Sequence, residues 1–230
     1  VTTTGTTPTG TVSLTVTGAS TTPALTHTAT VSLTVATPVQ TTVTFTSTGS
    51  QDGYVLESGE ATNVGGSASS TTNSTSALRV GDDASRRQYK SVLSFNTSSI
   101  PDGATIVSAT LRLNQGTVAG TNPYATFGSL WVDVQTDGFS GSTTLQNGDF
   151  QAAATASQAA TLSNAGANGA WATGALNAAG LAAVSKTGTT QLRIYFNLDD
   201  NNNSTADYVG FYSGEASNTV RPQLVITYQQ

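Results

Sequence analysis

A two-residue alternation of apolar and polar side chains constrains the fold of this chain more than any other feature. The hexapeptide Thr-Val-Ser-Leu-Thr-Val occurs at residues 11–16 and again at residues 30–35. Every second residue is apolar, so in an extended chain the Val and Leu side chains lie on one face. Thr fills most of the opposite face and keeps a high strand propensity without charge. The pattern predicts two β-strands, each with one apolar face.

A turn and a third strand complete the prediction for the N-terminal region. Residues 18–23 supply turn residues between the two strands, and a further alternating run follows at residues 41–46. An isolated hairpin is marginal in water, so we expect this arm, residues 1–46, to pack on another surface. The predicted assembly contacts are its apolar residues: Val12, Leu14, Val16, Val31, Leu33 and Val35.

The partner of the arm stays open at the level of sequence. Residues 1–40 resemble the last two strands of an immunoglobulin-like repeat without its earlier strands. Exposed strand edges pair with other chains, and strand addition to a neighbouring sandwich is a known recognition mode. Head-to-tail pairing that does not close gives a filament. Alternatively, the arm folds back onto its own domain, or it is the remnant of a longer, cleaved protein.

From residue 47 onward, short alternating runs are separated by turns rich in Gly, Pro, Asp and Asn. This arrangement is typical of a sandwich or jelly roll and not of a βαβ fold. Short helices are expected at residues 147–153 and 177–185. We therefore predict an all-β chain, with a jelly-roll-like β-sandwich over residues 47–230 and an N-terminal β-strand arm. The predicted strands are 54–57, 77–80, 89–95, 105–114, 130–136, 191–198, 208–212 and 223–228.

The strand pattern also predicts which side chains form the core. They are the large apolar residues at alternating positions of the longer runs, together with one aromatic residue after a turn. The predicted core consists of Phe95, Ile106, Leu111, Leu113, Leu130, Val132, Val134, Phe139, Leu192, Ile194, Phe196, Leu224 and Ile226.

The composition excludes several classes of function. Charged residues are 9% of the chain, Lys plus Arg number 8 and the net charge is −5. So few cations make a poor binder of phosphate backbones, so we expect no nucleic-acid partner. No apolar run is long enough for a transmembrane helix. With no Cys and one His, thiol chemistry and multi-histidine metal sites are excluded. No basic segment precedes an apolar run, so we expect that any signal peptide has already been removed.

Six segments, in order along the chain, form one pattern. They are Asp52-Gly53-Tyr54-Val55, Asn63-Val64-Gly65-Gly66, Leu78-Arg79-Val80-Gly81, residues 89–106, residues 211–218 and residues 221–228. This pattern resembles one family of secreted modules, the DNRLRE-type domains, which are similar to carbohydrate-binding modules that bind alginate-like polysaccharides. The resemblance covers roughly residues 50–230. It implies a jelly-roll sandwich that is usually a non-catalytic appendage of a secreted or surface protein.

The sequence offers no constellation for catalysis, and we expect no enzyme. A catalytic triad needs a His or an equivalent base beside a nucleophile. His27, the single histidine, lies in the Thr-rich arm, where an exposed strand position is the expected place for it. Most carboxylates fall in turns, where Asp serves the backbone.

The strongest chemical pattern is a run of Asp and Asn at residues 199–207. Clustered oxygen ligands suit Ca²⁺, and we predict a calcium site from Asp199, Asp200, Asn201, Asn203 and Asp207. Asp82 and Asp83 form a weaker candidate. The alternatives are a polar loop stabilised by Asn and Asp turns, and pairing of Asp82 and Asp83 with the nearby arginines.

Binding of a polysaccharide would need exposed aromatic rings and a few directed polar groups. Trp171, in a loop-like Gly-rich context, and Tyr124, after a Pro, are the predicted stacking residues. Lys90 and Arg79 are the predicted cationic contacts for an anionic glycan, the alternative being surface charge balance. Trp131 lies in an apolar alternating strand and is expected in the core.

Two functions follow from these patterns. The first is a structural or adhesive subunit of an extracellular filament or matrix that self-associates through its N-terminal strands. The alternative is a carbohydrate-binding module that anchors a secreted enzyme or a cell to polysaccharide.

Overall fold

The computed structural model describes residues 7–70 and 73–230. The chain divides into two compact units, one ending at Val39 and one running from Gln40 to Gln230. The predicted arm thus falls into two parts, and its residues 1–6 lie outside the described part of the chain. The boundary lies between Val39 and Gln40 because the third predicted strand pairs within the larger unit and not with the first two.

The smaller unit is a β-hairpin of two long strands, β1 (Gly10–Thr21) and β2 (Ala24–Val35). They are antiparallel, with Leu14 opposite Val31 and Val12 opposite Leu33. The prediction of a turn over residues 18–23 is wrong, since only Thr22 and Pro23 lie between the strands. Residues 18–21 continue the ladder because each pairs with a residue of β2, from Gly18 opposite His27 to Thr21 opposite Ala24.

The larger unit is nearly all β. Its helices are the single turns α1 (Pro123–Thr126) and α2 (Ala178–Ala182), with 3₁₀ turns at Gly49–Gln51, Phe139–Gly141 and Asn147–Phe150. Its strands are β3 (Gln40–Thr46), β4 (Gly53–Glu57), β5 (Gly65–Ser69), β6 (Leu78–Asp82), β7 (Gln88–Asn96), β8 (Thr105–Ala119), β9 (Leu130–Thr136), β10 (Ala156–Leu162), β11 (Trp171–Ala175), β12 (Thr189–Phe196), β13 (Tyr208–Phe211) and β14 (Gln223–Gln229).

These strands form one large antiparallel sheet that curls over a common core, as predicted for a jelly-roll-like sandwich. The order along the sheet is β10-β9-β12-β7-β6-β13-β8-β14-β3. Strand β4 pairs with β5 and β7, and β11 pairs with β8. Strand β3 pairs only with the C-terminal strand β14 among the described residues, and so forms an edge.

Each of the eight predicted strands of this unit is present, with ends shifted by a few residues at most sites. Strands β5, β10 and β11 were not predicted from the sequence. They contain Gly-Gly, Ala-rich and Gly-interrupted segments, whose intrinsic strand propensity is low. Tertiary hydrogen bonding to a neighbouring strand therefore decides their conformation.

The predicted core is largely confirmed. Most of the predicted residues are buried in one cluster between the two halves of the sheet, while Ile106 is half-buried at its margin. Phe139 is buried but lies outside that cluster, with its ring 4.7 Å from the Arg193 guanidinium carbon. It belongs to a second layer, in which residues 139–152 cover part of the outer face of β12.

A buried carboxylate, Asp52, joins three segments of the sandwich. Its Oδ2 accepts hydrogen bonds from Ser47 Oγ at 2.6 Å and Gly214 N at 2.9 Å, and its Oδ1 accepts one from Ser94 N at 3.1 Å. Burial raises the pKa of Asp52 to about 6, although the hydrogen bonds act in the opposite direction. The segment after β3, strand β7 and the segment after β13 therefore meet at one side chain.

Ser47→Ala tests this junction. Hydrogen bonds to charged groups contribute about 1.5–3 kcal/mol, so the variant is expected to lose that much free energy of unfolding at about pH 8, where Asp52 is ionised. Near pH 4.5 Asp52 is neutral in the folded protein, and a loss of about 1 kcal/mol is expected. Urea unfolding at both pH values measures the difference.

In the wild type, the raised pKa of Asp52 determines how its contribution to the free energy of unfolding changes with pH. Because the folded-state pKa of Asp52 is raised, its contribution favours the folded state below about pH 4 and is lost as the pH rises through about 6. Ser50→Ala, at an exposed position, is the control and should change stability by less than about 0.5 kcal/mol. Equal losses for Ser47→Ala at both pH values would contradict the assignment.

Candidate functional site

The hairpin has one apolar face and one hydroxyl face. On the apolar face Val12 is 56%, Val16 61% and Val31 53% exposed. Leu33 and Val35 on the same face are half-buried. The predicted assembly residues therefore lie side by side, because residues directly opposite in an antiparallel pair share a face.

The opposite face carries Thr and Ser at almost every position. Thr15 lies opposite Thr30, and the hydroxyl oxygens of Thr11 and Thr34 are 3.1 Å apart. No Lys, Arg, Asp or Glu occurs in β1 or β2. His27 is exposed on β2, as expected from the sequence. Among the described residues each strand pairs only with the other, so the backbone groups along both outer edges have no strand partner.

A second feature lies on the outer face of strands β7, β9 and β12. We call it the Lys90 face and define it by Lys90, Trp131, Asp133, Arg193 and Tyr195. Tyr195 lies opposite Trp131 and Arg193 opposite Asp133 in the β12–β9 pair. The strand alternation that sends Leu192, Ile194 and Phe196 into the core turns these side chains away from it.

An ion pair organises the Lys90 face. Arg193 Nη2 lies 2.5 Å from Asp133 Oδ2, and both side chains are nearly buried. Arg193 Nη1 also donates to the carbonyl oxygens of Asp149 and Ala152, at 2.7 and 2.8 Å. The Tyr195 hydroxyl donates to Asp133 Oδ1 at 3.2 Å. The covering segment and the two strands are thus held together through one guanidinium group.

Lys90 is a half-buried cation between two aromatic rings. Its Nζ lies 4.0 Å from the ring centroid of Phe150 and 4.9 Å from that of Tyr195, and it donates to Phe150 O at 3.3 Å. Burial lowers the pKa of Lys90 to about 8, and the positive charge of Arg193 acts in the same direction. A perturbed cation of this kind is more common at binding sites than on an ordinary surface.

Lys90 lines a polar cleft of ≈ 290 Å³. A cation, amide groups, a phenol and a carboxylate converge there, which is the donor and acceptor set that recognises hydroxyl-rich ligands. The lining residues are Asn63, Gln88, Lys90, Tyr195, Phe196, Asn197, Leu198 and Asp199.

Trp131 adds an aromatic surface beside this cleft. Its ring is edge-on to that of Tyr195, with centroids 6.0 Å apart, and it is half-buried. The prediction that Trp131 is a core residue is therefore wrong. The sequence signal was present, since Leu130 and Val132 on either side of Trp131 face the core and an alternating strand must turn Trp131 outward.

The other predicted glycan contacts lie away from that cleft and are engaged in packing. Trp171 belongs to β11 and not to a loop, and the guanidinium carbon of Arg112 lies 4.8 Å from its ring centroid. The Tyr124 ring packs edge-on against Phe196, and burial raises the pKa of Tyr124. Of the four predicted glycan residues, only Lys90 lines the cleft.

Arg79 occupies an aromatic cage. Its guanidinium carbon lies 5.0 Å from the ring centroid of Tyr54, 5.8 Å from that of Tyr89 and 5.1 Å from that of Tyr208. Cation–π contacts with three rings account for its position without any ligand. Arg79 therefore joins strands β4, β6, β7 and β13 at this end of the sandwich.

The predicted calcium loop, residues 199–207, contains several turns closed by its own side chains. Oδ1 of Asp200, Asn201 and Asn203 each accept a hydrogen bond from the backbone nitrogen two residues later. The alternative of a loop stabilised by such turns is thus realised for these residues. Among the described residues no group of three or more His, Asp or Glu side chains is arranged to hold a metal.

The two predicted acidic sites meet in space. Asp207 N donates to Asp82 Oδ1 at 3.0 Å, so the loop before β13 contacts the end of β6. Burial raises the pKa of Asp82 to about 7, and repulsion from the carboxylates of Asp207, Asp200 and Asp83 acts in the same direction. Asp83 instead pairs with Arg87, with Oδ2 2.6 Å from Nη2.

No protein-family model matches this chain, and no curated protein matches it. Within residues 7–70 and 73–230, no helix has both the length and the apolar character needed to cross a membrane.

Lys90→Met tests the lowered pKa of this half-buried lysine. Because the pKa of Lys90 is lower in the folded protein than in the unfolded chain, folding favours the neutral amine. The stability that Lys90 contributes above about pH 10.5 is therefore lost as the pH falls through about 8. The variant is expected to be at least as stable as the wild type at pH 7 and to lose that advantage near pH 10. Urea unfolding across this range measures both effects.

An NMR titration of the lysine side-chain carbons gives an independent readout. One signal, absent from Lys90→Met, should titrate near pH 8. Lys186→Met, which removes the other lysine of the chain, is the control and should leave that signal in place. A loss of more than about 1 kcal/mol for Lys90→Met at pH 7 would instead make the cation–π contacts a net stabilising element.

Proposed function

We propose that this protein is a non-catalytic structural or adhesive subunit of an extracellular filament or matrix, and that it self-associates through the N-terminal hairpin. The observation that supports this proposal is the exposed apolar face formed by Val12, Leu14, Val16 and Val31 on a two-stranded unit. Contiguous exposed apolar surface of this kind is characteristic of interaction sites. A second copy of the same chain is the proposed partner.

The size of the hairpin argues for strand addition as well as face packing. Twelve-residue strands are about 40 Å long, and two adjacent strands are about 10 Å wide. Two such faces packed together bury about 800 Å², below the roughly 1,200 Å² of a stable specific interface. Backbone hydrogen bonds along a free edge would supply the missing interactions, and both outer edges of the hairpin offer them.

The composition of the hairpin fits assembly in a second way. Its strands lack Lys, Arg, Asp and Glu, so closing an interface over them would desolvate none of these charged groups. The Thr face keeps hydroxyl groups available for hydrogen bonding on the other side of the sheet. A head-to-tail arrangement of such units gives a filament if it does not close into a ring.

The two faces of the hairpin supply a matched pair of variants. Leu14→Lys places an ammonium group on the apolar face, while Thr15→Lys places the same group one residue away on the hydroxyl face. A buried charge without a partner costs about 3–5 kcal/mol, so Leu14→Lys should weaken self-association at least about a hundredfold. Thr15→Lys should retain association within about tenfold.

Sedimentation velocity gives the association constants, and negative-stain electron microscopy of the intact chain shows whether the product is a filament. Monodisperse wild-type monomers at the highest soluble concentration would refute the proposal. Equal weakening by both lysine variants would point to strand edges and not to the Val/Leu face as the interface.

A second candidate function is favoured by the Lys90 face. We propose, as the alternative, that the sandwich is a carbohydrate-binding module that attaches a secreted enzyme or a cell surface to polysaccharide. An edge-on pair of aromatic rings, Trp131 and Tyr195, beside a polar cleft with a half-buried ammonium group supports it. Lys90 would pair with a carboxylate of an anionic sugar, and the aromatic rings would stack on the sugar faces.

The two tryptophans distinguish this site from the one indicated by the sequence. Trp131→Ala should weaken binding of a soluble polyuronate about tenfold, as expected for loss of one stacking contact of about 1–1.5 kcal/mol. Trp171→Ala is the matched control and should leave the affinity unchanged. Calorimetric titration of both variants with a polyuronate and with a neutral glucan measures affinity and charge preference.

Two results would count against the Lys90 face. One is weaker binding in Trp171→Ala with no change in Trp131→Ala, which would move the site to β11. The other is the absence of binding to either polymer by the wild type, which would leave self-association as the sole proposed function.

A further inference from the structure

Two buried aspartates, Asp82 and Asp207, contact each other where β6 pairs with β13. Strands β6 and β13 are antiparallel, with Gly81 opposite Tyr208. Asp82 N donates to Asp207 O at 2.9 Å, and Asp207 N donates to Asp82 Oδ1 at 3.0 Å. Both aspartates have 0% exposure. The loop of residues 199–207 thus ends against the end of β6.

Both carboxylate oxygens of Asp207 accept hydrogen bonds, whereas one carboxylate oxygen of Asp82 accepts none. Asp207 Oδ1 accepts from Thr121 N at 2.6 Å, and its Oδ2 accepts from the side-chain amides of Asn201 and Asn203 at 2.6 and 3.0 Å. Asp82 Oδ2 has no hydrogen-bond partner among the described residues. A buried carboxylate oxygen without a partner is costly, and native proteins supply such atoms with a donor, a water or a cation.

The charge around that oxygen favours a cation. Asp207, Asp200 and Asp83 all act on Asp82 with negative charge. Arg87, the nearest cation in sequence, is paired with Asp83, and Arg86 donates to Glu60 and, at 2.6 Å, to Asn202 Oδ1. The arginines therefore neutralise neighbouring groups and leave Asp82 without a positive partner among the described residues.

The side chains that act on Asp82 or contact the carboxylate of Asp207 are carboxylates and amides. Carboxylate and amide oxygens are the ligands that calcium prefers, and a flexible set of them suits its irregular coordination. The set contains no sulfur or imidazole, which a transition metal would select. Gly120 lies so close to Asp207 that a Cβ there would be 2.0 Å from Oδ1, so the backbone encloses this carboxylate tightly.

We propose that Asp82 and Asp207 bind one calcium ion, which joins the loop of residues 199–207 to the end of β6. Asp82 Oδ2 is the open ligand, and the loop supplies Asp207, whose Oδ2 is contacted by the side-chain amides of Asn201 and Asn203. This site is independent of the hairpin and of self-association.

Calorimetric titration of the full-length chain with calcium chloride, after removal of metals with a chelator, tests this proposal. One calcium ion per chain is expected. At free calcium of about a hundred times the dissociation constant, the melting temperature of the sandwich should rise by about 5–10 °C. Magnesium at the same concentration should give a smaller shift, because it demands a more regular, smaller cage.

Two aspartates that are adjacent in sequence provide the variant and its control. Asp82→Asn removes the charge of the open ligand and should lower calcium affinity at least about tenfold. Because it also relieves repulsion in the metal-free protein, the variant should fold. Asp83→Asn removes an equal charge from a carboxylate already paired with Arg87, and should change calcium affinity less than about threefold.

Three outcomes would overturn the proposal. They are no calcium binding at millimolar concentration, an equal loss of affinity in both variants, and binding that survives in Asp82→Asn at the wild-type strength. The circular dichroism spectrum of each metal-free variant checks that loss of affinity does not reflect loss of the fold.

Discussion

Backbone hydrogen bonding along strand β8 (Thr105–Ala119) is the interaction on which the rest of the sandwich depends. The strand pairs with β14 and β11 along its first part and with β13 along its last part. Through β13 and β6 the same ladder continues to β7, so one continuous sheet supplies both halves of the fold. Gly116 permits this route, since a Cβ there would lie 2.2 Å from the carbonyl oxygen of Thr75. The core between the halves forms because the sheet curls on itself.

Two of the proposed sites lie where the sheet holds a charged or polar group away from water at a cost in folding free energy. Lys90 is a cation held between two rings, and Asp82 has a buried oxygen without a partner. Neither arrangement is what a chain selected for stability alone would keep, because replacing such groups is often stabilising. The two sites also share one loop. Asp199 lines the cleft beside Lys90, and Asp207 at the other end of the loop contacts Asp82. A calcium ion bound at Asp82 would therefore also restrict the motion of the loop that lines the cleft.

Much of the candidate site was accessible from residue patterns, and the rest was not. Val12, Leu14 and Val31 could be assigned to one face because alternation fixes the face of every residue in a strand. The same rule turns Trp131 outward between Leu130 and Val132, although apolar character alone suggested the core. Lys90 was identified as a cation near a signature strand. Its neighbours Tyr195 and Phe150 could not be found, because they come from positions distant in sequence that only pairing of β12 with β7 and packing of residues 139–152 bring together.

The sequence by itself determined the all-β class, eight strands of the sandwich, the two long hairpin strands and most of the core, because side-chain periodicity is a local property. Tertiary structure decided the rest. It made strands of the segments rich in Gly and Ala at β5, β10 and β11, whose propensity is too weak to do so alone. It assigned β3 to the sandwich through pairing with β14, the opposite end of the chain. It also joined the two acidic segments around Asp82 and Asp207, because contacts across more than a hundred residues depend on sheet topology and not on local pattern.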